Sequence, residues 1–164
     1  MYKIRIVLDT QEDVIRTLLV NDTITLEELH FAIVDAFGFN DKEMASFYLT
    51  DDNWSQGEEI PLFNMSDNPA TPAMGTCILN EVLPNISDKL IYVYDFLKMW
   101  VFYVEIIDIL PAKSTDAPKT ILAVGEIPKE KPLKEFNTES YEESIDDDIS
   151  DEFGELRGFD LDNY

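Results

Sequence analysis

Hydrophobic and polar positions alternate with a period of two over residues 2–8, placing Ile4, Ile6 and Leu8 on one side of an extended segment. A polar stretch over 9–13 follows, and residues 14–20 return to β-branched and leucine side chains, the composition of a second strand. Two strands this close in sequence predict an antiparallel hairpin. The period then changes. Leu26, Leu29, Ile33 and Phe37 recur at spacings of three and four, which gathers them on one face of a helix. Thr25 and Glu28 make a Thr-x-x-Glu capping box at its start, and Glu27 and Glu28 suit the positive end of the helix dipole. Gly38 stands where a left-handed C-terminal cap is needed, with Phe39 placed to fold back onto the last turn.

Residues 46–50 read as a third strand, with Phe47 and Leu49 on one side and Tyr48 on the other. Residues 51–73 are loop-like, rich in Asp, Asn, Pro and Ser, with a short apolar piece at 60–63. Residues 76–83 predict one short helical turn stopped by Pro84. Residues 90–96 alternate around Ile91, Val93 and Asp95 as a strong strand, and the apolar run 99–110 is expected to pair with it. Pro111, Pro118, Pro128 and Pro132, mixed with lysine, mark 111–134 as an extended linker. In the final segment Tyr141, Ile145, Ile149, Phe153 and Leu156 recur at helical spacing among acids.

This order of elements predicts an α+β fold of β-grasp type, similar in order to ubiquitin: a mixed sheet wraps one helix, and the last core strand lies parallel beside the first. The run 99–110 would be an added strand that extends or covers the sheet. A ferredoxin-type split βαβ arrangement is the alternative, and it needs a second full-length helix before Leu90. The expected organisation is thus a domain over 1–110, a linker over 111–134 and an acidic extension over 135–164.

Charge changes the picture of partners. The 164 residues carry 34 acids and 12 bases, a net charge of −22. Residues 135–164 hold 12 of those acids and one base, Arg157, so this short segment carries as much net charge as the rest of the chain. Such a field repels phosphate backbones, because nucleic-acid binding runs on counterions displaced by Lys and Arg. Direct binding of DNA or an anionic membrane is disfavoured, and a basic protein surface is the favoured partner. An apolar fraction of 45% excludes wholesale disorder, and no apolar run approaches the ~20 residues that span a bilayer. Cys77 is the only cysteine, so no internal disulfide forms and a reducing, cytoplasmic setting fits.

Candidate chemistry is sparse. His30 is the only histidine, and a catalytic or metal-binding role would need partners from other elements. Without clustered Cys or a second His, zinc coordination is not expected. Asp51, Asp52, Asn53, Glu58 and Glu59 crowd around Trp54, an oxygen-rich loop whose spacing does not fit the calcium-loop pattern; a solvated loop with Trp54 lidding the core is the competing reading. Asp95 ends a strand, where it can form a turn or act chemically, and Trp100 follows five residues on. The six glycines are scattered, so no phosphate cradle forms and no cofactor is expected. For the acidic segment, Ile145, Ile149 and Phe153 suit docking into a partner's groove or onto the chain's own domain, while the run Asp146-Asp147-Asp148 favours disorder.

Two anchors carry a resemblance. The run Ile24-Thr25-Leu26-Glu27-Glu28-Leu29-His30, continued by Ile33, Ala36, Phe37, Gly38 and Phe39, is similar to the signature helix of the Ri-plasmid ORF-3-like family, in which a Leu-His pair and a closing Phe-Gly-Trp are typical. The run Leu90-Ile91-Tyr92-Val93-Tyr94-Asp95-Phe96, with Trp100 after it, resembles that family's late strand. The likeness covers about residues 2–110. Phe39 stands where the family usually has Trp, Leu97 and Lys98 replace a Gly-Asp pair, and Val101 and Phe102 occupy positions where acids and His are common. These changes weaken any polar site on the late hairpin. The resemblance implies a poorly characterised family, some of whose members are called resolvase-like or linked to mobile elements, without demonstrated recombinase chemistry. The resulting expectation is a non-enzymatic protein-interaction module that uses its sheet edge or tail. A mobile-element accessory acting as a DNA mimic comes second, and an enzyme using His30 third.

Overall fold

A computed structural model describes residues 1–39, 43–111 and 116–128. Seven strands form one sheet: β1 (Tyr2–Leu8), β2 (Ile15–Val20), β3 (Ala45–Leu49), β4 (Glu59–Pro61), β5 (Lys89–Tyr94), β6 (Trp100–Ile109) and β7 (Lys119–Val124). Helix α1 (Leu26–Phe37) follows the first hairpin, and a 3-10 turn at Met74–Thr76 precedes the four-residue α2 (Leu79–Val82). The described residues from Met1 to Ile127 belong to one compact unit.

The helix forms as its sequence dictates. Thr25 Oγ1 accepts from the Glu28 amide at 3.1 Å, and Glu28 Oε1 accepts from the Thr25 amide at 2.9 Å, completing the capping box. Gly38 closes the helix with φ 75°, and the Phe39 amide returns to the Val34 carbonyl at 3.0 Å. Phe39 then folds back beside Phe37 and stacks on Tyr94.

The strand order is β4-β3-β5-β6-β1-β2-β7, with antiparallel pairing throughout. The parallel pair expected between the first and last core strands is absent from this sheet. β6 folds back from β5 through a five-residue turn and inserts between β5 and β1, antiparallel to both. The physical reason lies in β6 itself. Its ten residues alternate, burying Trp100, Phe102, Val104 and Ile106, so it supplies the inward-facing row that a central position requires. The second difference concerns the expected linker. Residues 119–124 pair with β2 as β7, drawing part of the stretch 111–134 into the sheet. The sequence Lys-Thr-Ile-Leu-Ala-Val has the β-branched content of an edge strand, and the prolines around it masked that signal.

One face of the sheet is the core. Ile4, Ile6, Leu18, Phe47, Tyr92 and Phe102 are all buried there, with Leu26, Leu29, Ile33 and Phe37 of α1 packed against them. The lower end is closed by α2, whose cap residue Leu83 accepts a hydrogen bond from the Tyr2 hydroxyl at 2.8 Å.

Candidate functional site

His30 lies on the buried side of α1 and is 3% exposed. Its Nδ1 is 2.6 Å from the Tyr92 hydroxyl, across 62 positions of sequence. Burial lowers the imidazole pKa from 6.5 to about 4 and pushes the Tyr92 phenol well above its ordinary value, reinforced by Tyr94. Both groups are neutral at pH 7. A Tyr92 hydroxyl donating to Nδ1 satisfies the pair and leaves the ring proton on Nε2. Phe31, Tyr92 and Tyr94 surround the imidazole at ring separations of 4.9, 5.8 and 6.4 Å. This is an apolar pocket filled by protein.

Trp100 joins the same aromatic group. It is 5% exposed, pairs with Tyr94 across the hairpin and lies 6.1 Å from Phe39. Asp95 is spent on the turn between them. Its Oδ1 accepts from the Leu97 and Lys98 amides at 3.1 and 3.3 Å, its carbonyl accepts from Met99, and its own amide donates to the Met44 carbonyl. Asp95 and Met99 hold positive φ values of 65° and 56°, so the carboxylate pins a left-handed turn.

Trp54 is on the other face. Strand register defines a row of outward side chains across all seven strands: Glu59, Tyr48, Ile91, Tyr103, Val7, Ile15 and Val124. Trp54, at φ 61°, reaches over this row and meets Tyr103 edge-on at 4.9 Å. Its loop is ordered by Asp51, whose carboxylate accepts from the Asn53 and Ser55 amides, bonds that lower the Asp51 pKa, with Ser55 first. Trp54 therefore lids the outer face of the sheet, away from the core under α1.

A shallow cavity of about 270 Å³ lies beside that ring, lined by Arg5, Val7, Trp54, Tyr103 and Glu105. A charged row borders it: Arg5 pairs with Glu105 at 2.9 Å, and Lys89 pairs with Asp52 at 3.1 Å while standing 5.8 Å over the Trp54 ring. Burial raises the Tyr103 phenol pKa, and the charge and hydrogen bond of Asp9 raise it further. The acids once grouped around Trp54 disperse: Asp51 serves its loop, Asp52 takes Lys89, and Glu59 accepts from Ser46. Among the described residues no three His, Cys, Asp or Glu side chains converge to hold a metal ion.

Sequence reasoning missed Tyr103, Arg5, Glu105 and Lys89. The signal was present in the polar phase of β6, where Tyr103 and Glu105 alternate with buried residues, but their neighbours depend on β6 entering beside β1. Ile145, Ile149 and Phe153 lie outside the described residues.

The sequence model of the plasmid pRiA4b ORF-3-like protein family matches residues 1–162. The chain belongs to that family. Within the curated proteins, the chain is 27% identical over 129 residues to the uncharacterized protein y4hQ of Sinorhizobium fredii (strain NBRC 101917 / NGR234). That match covers 78% of this chain and 64% of the relative. The chain thus spans a little under two thirds of the relative's length. Among solved structures, it is similar to a protein of unknown function, MM3350, from Methanosarcina mazei Go1, with a TM-score of 0.60 and 20% identity over 74% of this chain and 67% of that one. That likeness concerns the fold. No helix among the described residues is long and apolar enough to cross a membrane.

Proposed function

We propose that this family member is a non-enzymatic protein-interaction module whose partner presents a basic surface. The observation that carries the reading is the outer face of the sheet, where Trp54 and Tyr103 rim a shallow cavity bordered by Glu105, Asp52 and Asp9 together with Arg5 and Lys89. Aromatic side chains with polar tips supply contact area at small entropic cost. Glu105 and Asp52 are already paired with Arg5 and Lys89, so the preference for a basic partner comes from the field of the whole chain. The net charge of −22 favours the same class of partner. We read the fold as a β-grasp derivative with β6 inserted between the first and last core strands, and the single Cys77 suits a cytoplasmic setting.

Affinity capture with the full chain from its native cell, eluted over a salt gradient, tests this. A basic protein retained by the wild type and lost by Trp54→Ala with Tyr103→Ser supports the module. Turnover of any substrate that disappears with His30→Gln or Asp95→Asn would sink it. The charge also favours a second reading, a mobile-element accessory that presents carboxylates as a DNA mimic. Competition by duplex DNA for the captured partner, abolished by truncation at Glu135, would favour that reading.

A further inference from the structure

The outer row of the sheet ends at Val124, on a strand with only one neighbour. β7 pairs with β2 through Ile15–Val124, Thr17–Leu122 and Leu19–Lys119, and its other edge has no strand beside it among the described residues. All six residues are exposed, with Ile121, Leu122 and Val124 at 43%, 50% and 39%. Such an edge is a template for another strand, because its outward backbone groups have no strand beside them among the described residues, although the pairing with β2 shifts at Ile121, a bulge that bends the strand. Natural edges are commonly blunted by internal charge, proline or such a bulge. Here the only charge is Lys119 at the first position.

From this edge we infer that β7 accepts an extended basic segment of a partner protein as an eighth strand, by β-augmentation. Charge chooses the occupant. Asp116, three residues before the strand, and Glu126, two residues after it, are both exposed. Antiparallel pairing with a second copy about the middle of β7 would bring Asp116 of one copy beside Glu126 of the other, between chains that each carry −22. Like charges at such positions oppose pairing. A segment with lysine or arginine at both ends and β-branched residues between them meets those two carboxylates and covers Ile121, Leu122 and Val124. Alternation along the added strand sends every second side chain onto the outer face, extending the Tyr103–Val7–Ile15–Val124 row.

This inference rests on the basic-partner reading, and the experiment separates the two. The probe is a nine-residue peptide with two lysines at each end of an alternating Val-Thr centre, titrated into the full chain and followed by amide NMR; an otherwise identical peptide with glutamates at its ends is the control. The expected result is amide shifts and slowed exchange over Lys119–Val124 with the lysine peptide, weakened by salt, and none with the glutamate peptide. Ala123→Pro removes a donor from the outer edge, because Leu122 and Val124 turn theirs toward β2, and it abolishes binding. Because that change also threatens β7 itself, Asp116→Lys combined with Glu126→Lys is the second variant. It keeps the strand, lowers affinity for the lysine peptide at least 10-fold and admits the glutamate peptide. Equal binding of both peptides, shifts confined to the Trp54–Tyr103 face, or self-association through β7 in sedimentation each overturns the inference. If a basic protein is captured on the Trp54–Tyr103 face while β7 stays silent, only this inference falls. If no basic protein binds at all, the reading beneath it falls too.

Discussion

His30 and Tyr92 share a buried hydrogen bond of 2.6 Å between Nδ1 and the phenol oxygen, joining the middle of α1 to the middle of β5. The imidazole titrates near 4 in the folded chain against 6.5 ordinarily, through desolvation. The unfolded chain therefore binds the extra proton first as pH falls. Stability is fully present above pH 6.5 and declines through the interval down to about 4. At 1.36 kcal/mol per unit, the loss attributable to this group is on the order of 3 kcal/mol. Urea denaturation at pH 7 and pH 4.5 should show it, and His30→Gln should remove most of the slope. An unchanged slope in that variant would assign the acid sensitivity elsewhere.

Arg16 carries a different load. It is 9% exposed, lies over the Phe37 ring, and donates to the carbonyls of Ala36, Ile15, Val124 and Gly125. The last turn of α1 contains no base, so Arg16 brings the cation that the helix C-terminus favours. Arg16→Lys keeps the charge and loses the planar fork, leaving several carbonyls unsatisfied, at a cost of about 2 kcal/mol. Hydrogen exchange should accelerate together over Lys119–Val124 and the end of α1. Acceleration in only one of them would show that Arg16 does not couple the two.

How much of this was legible in the sequence follows from the range of each interaction. The capping box, Gly38 and the helical stripe of α1 are settled within a few residues of chain, and they were readable. The hairpin β1–β2 and the pairing of β5 with β6 were readable for the same reason. The place of β6 was not, because both of its neighbours accept its buried row and only the whole sheet decides which lie beside it. His30 was visible as an isolated histidine, but its partner Tyr92 is 62 positions away. The outer cavity combines Arg5, Trp54 and Tyr103 from three distant segments. β7 was hidden by flanking prolines and by a lysine-rich context that reads as linker.

Trp54 offers a test of local strain. A bulky residue at φ 61° occupies a region that costs roughly 1 kcal/mol for anything but glycine. Trp54→Ala loses the ring contact with Tyr103 and keeps the strain; Trp54→Gly loses the ring and releases it. The glycine variant should be the more stable of the two by up to about 1 kcal/mol in urea denaturation, net of the entropy glycine adds to the unfolded chain. An alanine variant equal to or better than the glycine one would show that the loop relaxes once the ring is gone.

Gly38 and Gly125 have nearly the same φ, 75° and 74°, and very different surroundings. A Cβ on Gly38 meets nothing within 4 Å, so Gly38→Ala carries only the left-handed penalty, about 1 kcal/mol. A Cβ on Gly125 would fall on the carbonyl of Asp13, which is backbone and has no side chain to swing away. Gly125→Ala must push the chain after β7 off the β1–β2 turn, and it also disturbs the Gly125 carbonyl that Arg16 holds at 3.0 Å. The expected cost is about 2 to 3 kcal/mol, with exchange of the Lys119–Val124 amides rising far more than exchange within β5 and β6. Equal destabilisation by the two alanines would mean that β7 is not anchored through Gly125, and the ordering of that edge would need another cause.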